Sequence, residues 1–196
     1  TGAKPGESGS FFSINARVDD LPEKIWIEEG NIRLMVMGTV KKGGGGCVCP
    51  ESALLKNLVS HVVFYRDDGV VMDMEAGIEH LGRATSQSVD WLIVVVEPGR
   101  RSLETAAKIK ELAADIGLSH IALVGNKIRG NIDQEFLLQN MADYRFLGFI
   151  PYDAQIIEAD LRGDFAENMA PATRQALEDI GRNLSGISQA AAGQKQ

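Results

Sequence analysis

The sequence predicts an α/β fold, a doubly wound and mostly parallel sheet flanked by helices. Two observations carry this. Five short apolar runs, "IRLMVMG" (32–38), "GVVMDM" (69–74), "WLIVVVE" (91–97), "HIALVGNK" (120–127) and "FLGFIP" (146–151), are continuous and rich in Val, Ile and Leu, as strands buried on both faces are. Stretches of helical period separate them, and strand–helix alternation is the pattern that builds a parallel sheet.

Taken in order, "TGAKPGESGS" opens the chain as a loop, and "FFSINARVDDLPEKIWIEEGN" has apolar residues without sustained period. It reads as irregular, with one short helical turn near Leu21 to Trp26. After the first run, Leu54, Leu55, Leu58, Val59, Val62 and Val63 share a helical face, and Pro50 suits its first turn. After the third run, Leu103, Ala106, Ile109, Leu112, Ala113 and Ile116 do the same, with Ser102 as the expected N-cap and Gly117 as the stop. A closing helix is predicted from Asn168 to about Ile187, followed by a frayed polar tail. The expected organisation is one domain over residues 1–187 and a disordered tail over 188–196, without internal repeats.

With 196 residues, 44% of them hydrophobic, the chain has enough material for a buried core. A net charge of −7 argues against a surface built to bind nucleic acid through its phosphates. No apolar run approaches the length of a membrane span. Two cysteines and no signal peptide point to the reducing cytoplasm, where a thiol pair is a metal or redox site more often than a structural bridge.

That pair stands in "TVKKGGGGCVCPES" (39–52). A phosphate-binding Walker loop needs Lys directly after its last Gly and then Ser or Thr. Here Lys41 and Lys42 precede the glycines and Cys47 follows them, so the order is wrong. What remains is a glycine hinge ending in Cys47-Val48-Cys49. Two thiolates are half of a closed tetrahedral set, and the chain has no other Cys. A bridge between Cys47 and Cys49 closes a strained ring. A twofold dimer, each copy lending both thiolates to one shared ion, completes the set, and bare glycines let two loops approach the axis.

Ligands of open α/β sheets bind at the carboxyl ends of the strands. The second run ends "VVMDMEAGIEHLGR", with Asp73 at its tip and Gly77 four residues on. Such an acid serves magnesium beside transferring phosphates, or caps the next turn. The fourth run ends in Asn126 and Lys127; a carboxamide there reads an adenine edge or caps a turn. Pro151 and Tyr152 end the fifth run, as a strand terminator or as backbone offered to a base. Arg100 and Arg101, after Glu97-Pro98, suit an anion clamp or a solvated loop. His61, His80 and His120 lack mutual ligand spacing and read as structural.

Taken together, "VVMDMEAGIEHLGR", "VVVEPGRRSLETAAKI", "VGNK" and "GFIPYD", in this order around "GGGGCVCPE", resemble the deviant-Walker ATPases of the MinD/ParA/nitrogenase iron protein class. The likeness is nearest to the CooC type, which helps insert nickel into carbon monoxide dehydrogenase, and runs from about Gly2 to Asp164. The stretch from Asp73 to Glu79 looks like the Walker B and switch II of that class. The resemblance implies a P-loop NTPase-like fold that uses ATP and ADP with magnesium. Asp73 then serves the magnesium, Gly77 senses the γ-phosphate, and Asn126 with Lys127 and the backbone at Pro151 and Tyr152 hold adenine. Cys47 and Cys49 bind nickel or zinc across a homodimer, with carbon monoxide dehydrogenase as client and neither nucleic acid nor membrane as partner.

The amino-terminal strand, the G-K-G-G-x-G-K-T loop and the switch I aspartate of that class have no match here. The chain therefore reads as the carboxyl-terminal three quarters of such an ATPase, and is expected to hydrolyse no ATP alone. The alternatives are a non-hydrolysing, metal-binding dimerisation module and a MinD-like positioning ATPase. The second wants a basic amphipathic end, which "NLSGISQAAAGQKQ" does not supply.

Overall fold

The computed structural model describes residues 26–36, 69–73, 89–164 and 167–193. The chain divides between Ser88 and Val89 into two units.

In the second unit, β3 (Leu92–Val96), β4 (Ile121–Ile128) and β5 (Arg145–Pro151) form a parallel sheet in that order. Leu92 pairs with Ile121 and Val96 with Gly125 across the first ladder. These strands coincide with the last three predicted runs, but β3 is not buried on both faces as expected: Val94 and Val96 are buried, whereas Ile93 and Val95 are 38% and 58% exposed, because β3 has its helix cover on one side among the described residues. Helix α1 (Arg100–Asp115) crosses from β3 to β4, and α2 (Asn131–Asn140) from β4 to β5. Helices α3 (Ala154–Arg162) and α4 (Pro171–Gly193) follow.

Alternate residues of each strand face opposite layers, and this divides the core in two. Val94, Val96 and Leu123 pack with Ala106 of α1 and Leu137 of α2 on one face. Ala122, Val124 and Leu147 pack with Ile180, Leu184 and Ile187 of α4 on the other. Gly125 lies where β4 meets Phe149 and Leu137 so closely that a Cβ would overlap the Phe149 ring.

Helix α1 ends as its sequence predicts. Gly117 takes φ 79°, its N–H donates to Ala114 O at 3.0 Å, and Leu118 N donates to Ala113 O at 2.8 Å. These are the two bonds of a Schellman ending, which needs the left-handed residue that glycine supplies. Its start differs from expectation: the helix begins at Arg100 after Gly99, and Ser102 lies inside the first turn. The Ser102 hydroxyl instead accepts from Glu97 N at 2.9 Å, tying the strand end to the helix. Helix α4 starts at Pro171, three residues after the expected Asn168, and its backbone continues to Gly193, past Ile187.

The first unit corrects three further expectations. "IRLMVMG" was expected as a buried parallel strand, but β2 (Ile32–Leu34) pairs antiparallel with β1 (Ile27–Glu29), and every residue of both is exposed. The reason is local, because Gly30-Asn31 is a two-residue connection and Gly30 takes φ 59°, the geometry that closes a hairpin. The irregular reading of residues 27–29 fails with it. Arg33 lies over the Trp26 ring at 5.0 Å and 3.5 Å from Glu28. Residues 69–73, read as a strand, carry no strand pairing, and Val71 is 92% exposed. The expected helix after Pro50 lies outside the described residues.

Candidate functional site

Because β3, β4 and β5 are parallel, their carboxyl ends, Glu97, Asn126 to Ile128 and Pro151 to Asp153, lie along one edge of the sheet. The edge is irregular at its centre. The β4–β5 register runs Gly125 to Phe149 and then Ile128 to Pro151, so β4 carries one extra residue at Asn126-Lys127. Such a bulge re-aims side chains. Lys127 sits in it at φ 56°, the one non-glycine residue with positive φ among those described, a conformation costing roughly 1–2 kcal/mol for an L-residue. Outliers of this kind cluster at ligand sites.

The bulge is held from two sides. Lys127 N donates to Asn126 Oδ1 at 2.9 Å, which fixes the carboxamide and leaves its NH2 group without a protein partner among the described residues. Lys127 Nζ stands 2.7 Å from Glu97 Oε1, joining the tips of β4 and β3; both side chains are about half exposed, at 53% and 50%. Solvent screening keeps an ion pair of that exposure within ~1 kcal/mol, so it orients more than it stabilises.

The β5 tip closes on the same place. Pro151 is opposite Ile128, and Tyr152 N donates to Ile128 O at 2.9 Å. The Arg129 guanidinium lies 5.5 Å from the centre of the exposed Tyr152 ring. Arg129 N donates to Asp133 Oδ2 at 2.9 Å, an acceptor for the open start of α2.

Next along the chain, Asp153 is buried and caps α3 through Gln155 N at 3.0 Å. Its other oxygen accepts from Ala170 N at 2.7 Å and from the Thr173 hydroxyl at 2.8 Å. The hydrogen bond from Ala170, with those from Thr173 and Gln155, holds its carboxyl below the usual carboxylate range against the opposing pull of burial.

Of the residues singled out in the sequence, Asn126, Lys127, Pro151 and Tyr152 are thus neighbours on one edge. A carboxamide whose NH2 has no partner among the described residues, a half-exposed ammonium, a strand-end backbone and an aromatic ring together suit the donor, acceptor and face of a planar heterocycle. Asp73 is described in the other unit, exposed and outside any strand. Gly77, Cys47 and Cys49 lie outside the described residues. No group of three His, Cys, Asp or Glu among the described residues is arranged to hold a metal ion. Arg100 and Arg101 open α1 and are exposed, and the His120 ring lies 5.0 Å from that of Trp91 at the amino end of the sheet. Sequence reasoning missed Glu97 and Asp153. The second had a signal, an Asp directly before the helical stretch "AQIIEADLR", which is an N-cap pattern.

No family model matches the chain. Curated proteins do. It is 47% identical over 83% of its length to an uncharacterized ATP-binding protein of Methanocaldococcus jannaschii. It is 45% identical over 85% of its length to the carbon monoxide dehydrogenase accessory protein CooC of Rhodospirillum rubrum. It spans 64% of the length of each of these relatives. Among solved structures, the MinD cell division protein of Aquifex aeolicus superposes with a TM-score of 0.57 over 69% of this chain and 61% of that one. At 20% identity that likeness speaks for the fold. The fold and the two sequence matches agree: the chain has a MinD-like fold and belongs to the CooC-type family of ATP-binding proteins.

Proposed function

We propose that this chain acts in an ATP-dependent accessory protein that supplies nickel to carbon monoxide dehydrogenase in the cytoplasm. The observation that carries the reading is the meeting of Asn126, Lys127, Pro151 and Tyr152 on one sheet edge, in a chain 45% identical to a carbon monoxide dehydrogenase accessory protein. Asn126 offers its amide NH2 to the ring acceptors of adenine, and the backbone at Pro151 and Tyr152 borders the base. Glu97 keeps the Lys127 ammonium beside the base rather than free in solvent.

Asp73, an exposed carboxylate, has the hard oxygen donors that magnesium takes, and a magnesium ion there neutralises phosphate charge. Gly77 senses the γ-phosphate. Cys47 and Cys49 of two copies hold one nickel or zinc ion, which is cargo. ATP closes the dimer around the cargo, and hydrolysis reopens it.

The test of the whole reading is genetic. Deleting the gene for this protein lowers the nickel content and the activity of carbon monoxide dehydrogenase in the same cells, while the amount of enzyme polypeptide stays constant. Unchanged nickel occupancy in the deletion strain refutes the assignment. A second measurement isolates the thiolate pair: zinc or nickel added to reduced chain, followed by light scattering, gives about half an ion per chain and a chelator-reversible dimer. Cys47→Ser or Cys49→Ser abolishes both. A full ion per monomer excludes the shared site and leaves the nucleotide reading standing.

A further inference from the structure

Two helix amino-termini converge on one buried carboxylate, directly after the strand end that borders the candidate base site. Asp153 caps α3 through Gln155 N. With its second oxygen it holds Ala170 N and the Thr173 hydroxyl, and the Ala170 carbonyl itself accepts from Thr173 N at 3.0 Å and Arg174 N at 3.1 Å to start α4. Thr173 has no solvent exposure, so its hydroxyl has no water to turn to and the bond is kept. Capping α3 needs only one oxygen of Asp153. The other reaches 17 and 20 residues along the chain, a connection that local helix stability does not require.

What that connection fixes is the strand end. Tyr152 is tied on one side to β4 through Ile128 O and on the other, through its neighbour Asp153, to α4. Helix α4 is itself locked to the sheet by Ile180, Leu184 and Ile187, and by Asn183 Nδ2 donating to Leu147 O at 2.7 Å. The spacing between the Asn126 carboxamide and the Pro151-Tyr152 backbone is therefore set by the seating of α4. Preorganised spacing of this kind lets polar groups select a ligand without an ordering cost at the moment of binding.

We propose that Asp153, held by Thr173, is the positioning residue of the base site: it touches no ligand, and it sets the distance between Asn126 and the Pro151-Tyr152 backbone on which discrimination between purine bases depends. This rests on the nucleotide reading above. The probes are adenosine and guanosine, which have no phosphates, titrated into isotope-labelled chain while the amide signals of Asn126, Lys127 and Tyr152 are followed. In the wild type, adenosine shifts these signals at lower concentration than guanosine does.

In Thr173→Val the apparent Kd for adenosine rises about tenfold, the scale of one hydrogen bond to a charged group, and the preference over guanosine shrinks. Thr173→Ser restores both. Should Thr173→Val not fold, Asp153→Asn, which keeps the shape and weakens the acceptor, carries the same comparison. A variant with a lowered Tm but an unchanged adenosine-to-guanosine ratio, measured well below that Tm, overturns the positioning role, since a purely structural clamp moves the first and not the second. Absence of any adenosine response in the wild type overturns the base-site reading itself, and the positioning role with it.

Discussion

The hairpin of β1 and β2 and the sheet of β3, β4 and β5 are written in the same aliphatic vocabulary and end in opposite states. In the hairpin, Ile27, Ile32 and Leu34 are 71%, 73% and 56% exposed; in the sheet, Leu123 and Leu147 are 0% and 1% exposed. The difference lies in what each strand finds to pair with. "IEEGNIRL" contains its own partner across a two-residue turn and closes on itself. "WLIVVVE" has no such turn, and its partner arrives only after a helix has crossed the sheet, which brings α1 and its apolar face along as cover for Val94 and Val96, while Ile93 and Val95 on the other face stay 38% and 58% exposed. An apolar run therefore marks a segment able to pair, as residues 69–73 show by carrying no strand, while the connection after it decides which face, if any, is covered.

The comparison breaks most visibly at the sheet. Leu123→Ala or Leu147→Ala leaves a void in one of the two layers and is expected to cost ~2–5 kcal/mol each, read as a shift of the denaturation midpoint. A loss below ~1 kcal/mol means that the layer collapses around the void and is not close-packed. Gly125→Ala comes next. Its methyl group meets the Phe149 ring and Leu137, and overpacking of this kind costs roughly 1–3 kcal/mol; a neutral result places the Phe149 ring elsewhere in solution.

The third effect depends on pH. Asp153 has a folded pKa depressed below its ordinary value, chiefly by the hydrogen bond from Ala170 N. Its contribution is thus complete above the unfolded pKa and is lost as pH falls through the lower, folded one. Thermal scans from about pH 5 down to about pH 2 show Tm falling in the wild type and less steeply in Asp153→Asn. Parallel curves for the two proteins remove Asp153 from the acid transition.

The smallest effect is at the hairpin. Ile32→Thr keeps a β-branched residue on an exposed strand and is expected to change stability by less than ~0.5 kcal/mol. A cost several times larger shows that the exposed face is covered in solution, and the contrast between the two regions then disappears.

What could be read along the chain follows these lines. The three strands of the sheet, the helical face of α1 and its stop at Gly117 were legible because each is a local regularity: a run of Val, Ile and Leu, an apolar stripe at helical spacing, a glycine where the chain must turn left-handed. The places of Asn126, Lys127, Pro151 and Tyr152 were legible too, since strand ends in a parallel sheet share an edge. Ser102 as N-cap and "IRLMVMG" as a core strand were misread from equally good local signals, because another partner, Glu97 N in one case and residues 27–29 in the other, took the hydrogen bonds.

By itself, then, the sequence determined the α/β class, the three strands, helix α1 and the closing helix of the second unit, and the family whose motifs it carries; α2 and α3 were not read from it. Tertiary structure alone decided the extra residue that turns Lys127 to φ 56° and into reach of Glu97. It alone decided that one carboxylate would serve two helices, Asp153 meeting Ala170 and Thr173 at 17 and 20 residues' remove. Periodicity reports which face of an element seeks burial, a property of neighbours along the chain. A buried hydrogen bond between distant residues follows from how whole elements are seated against one another, and no spacing in the sequence records that.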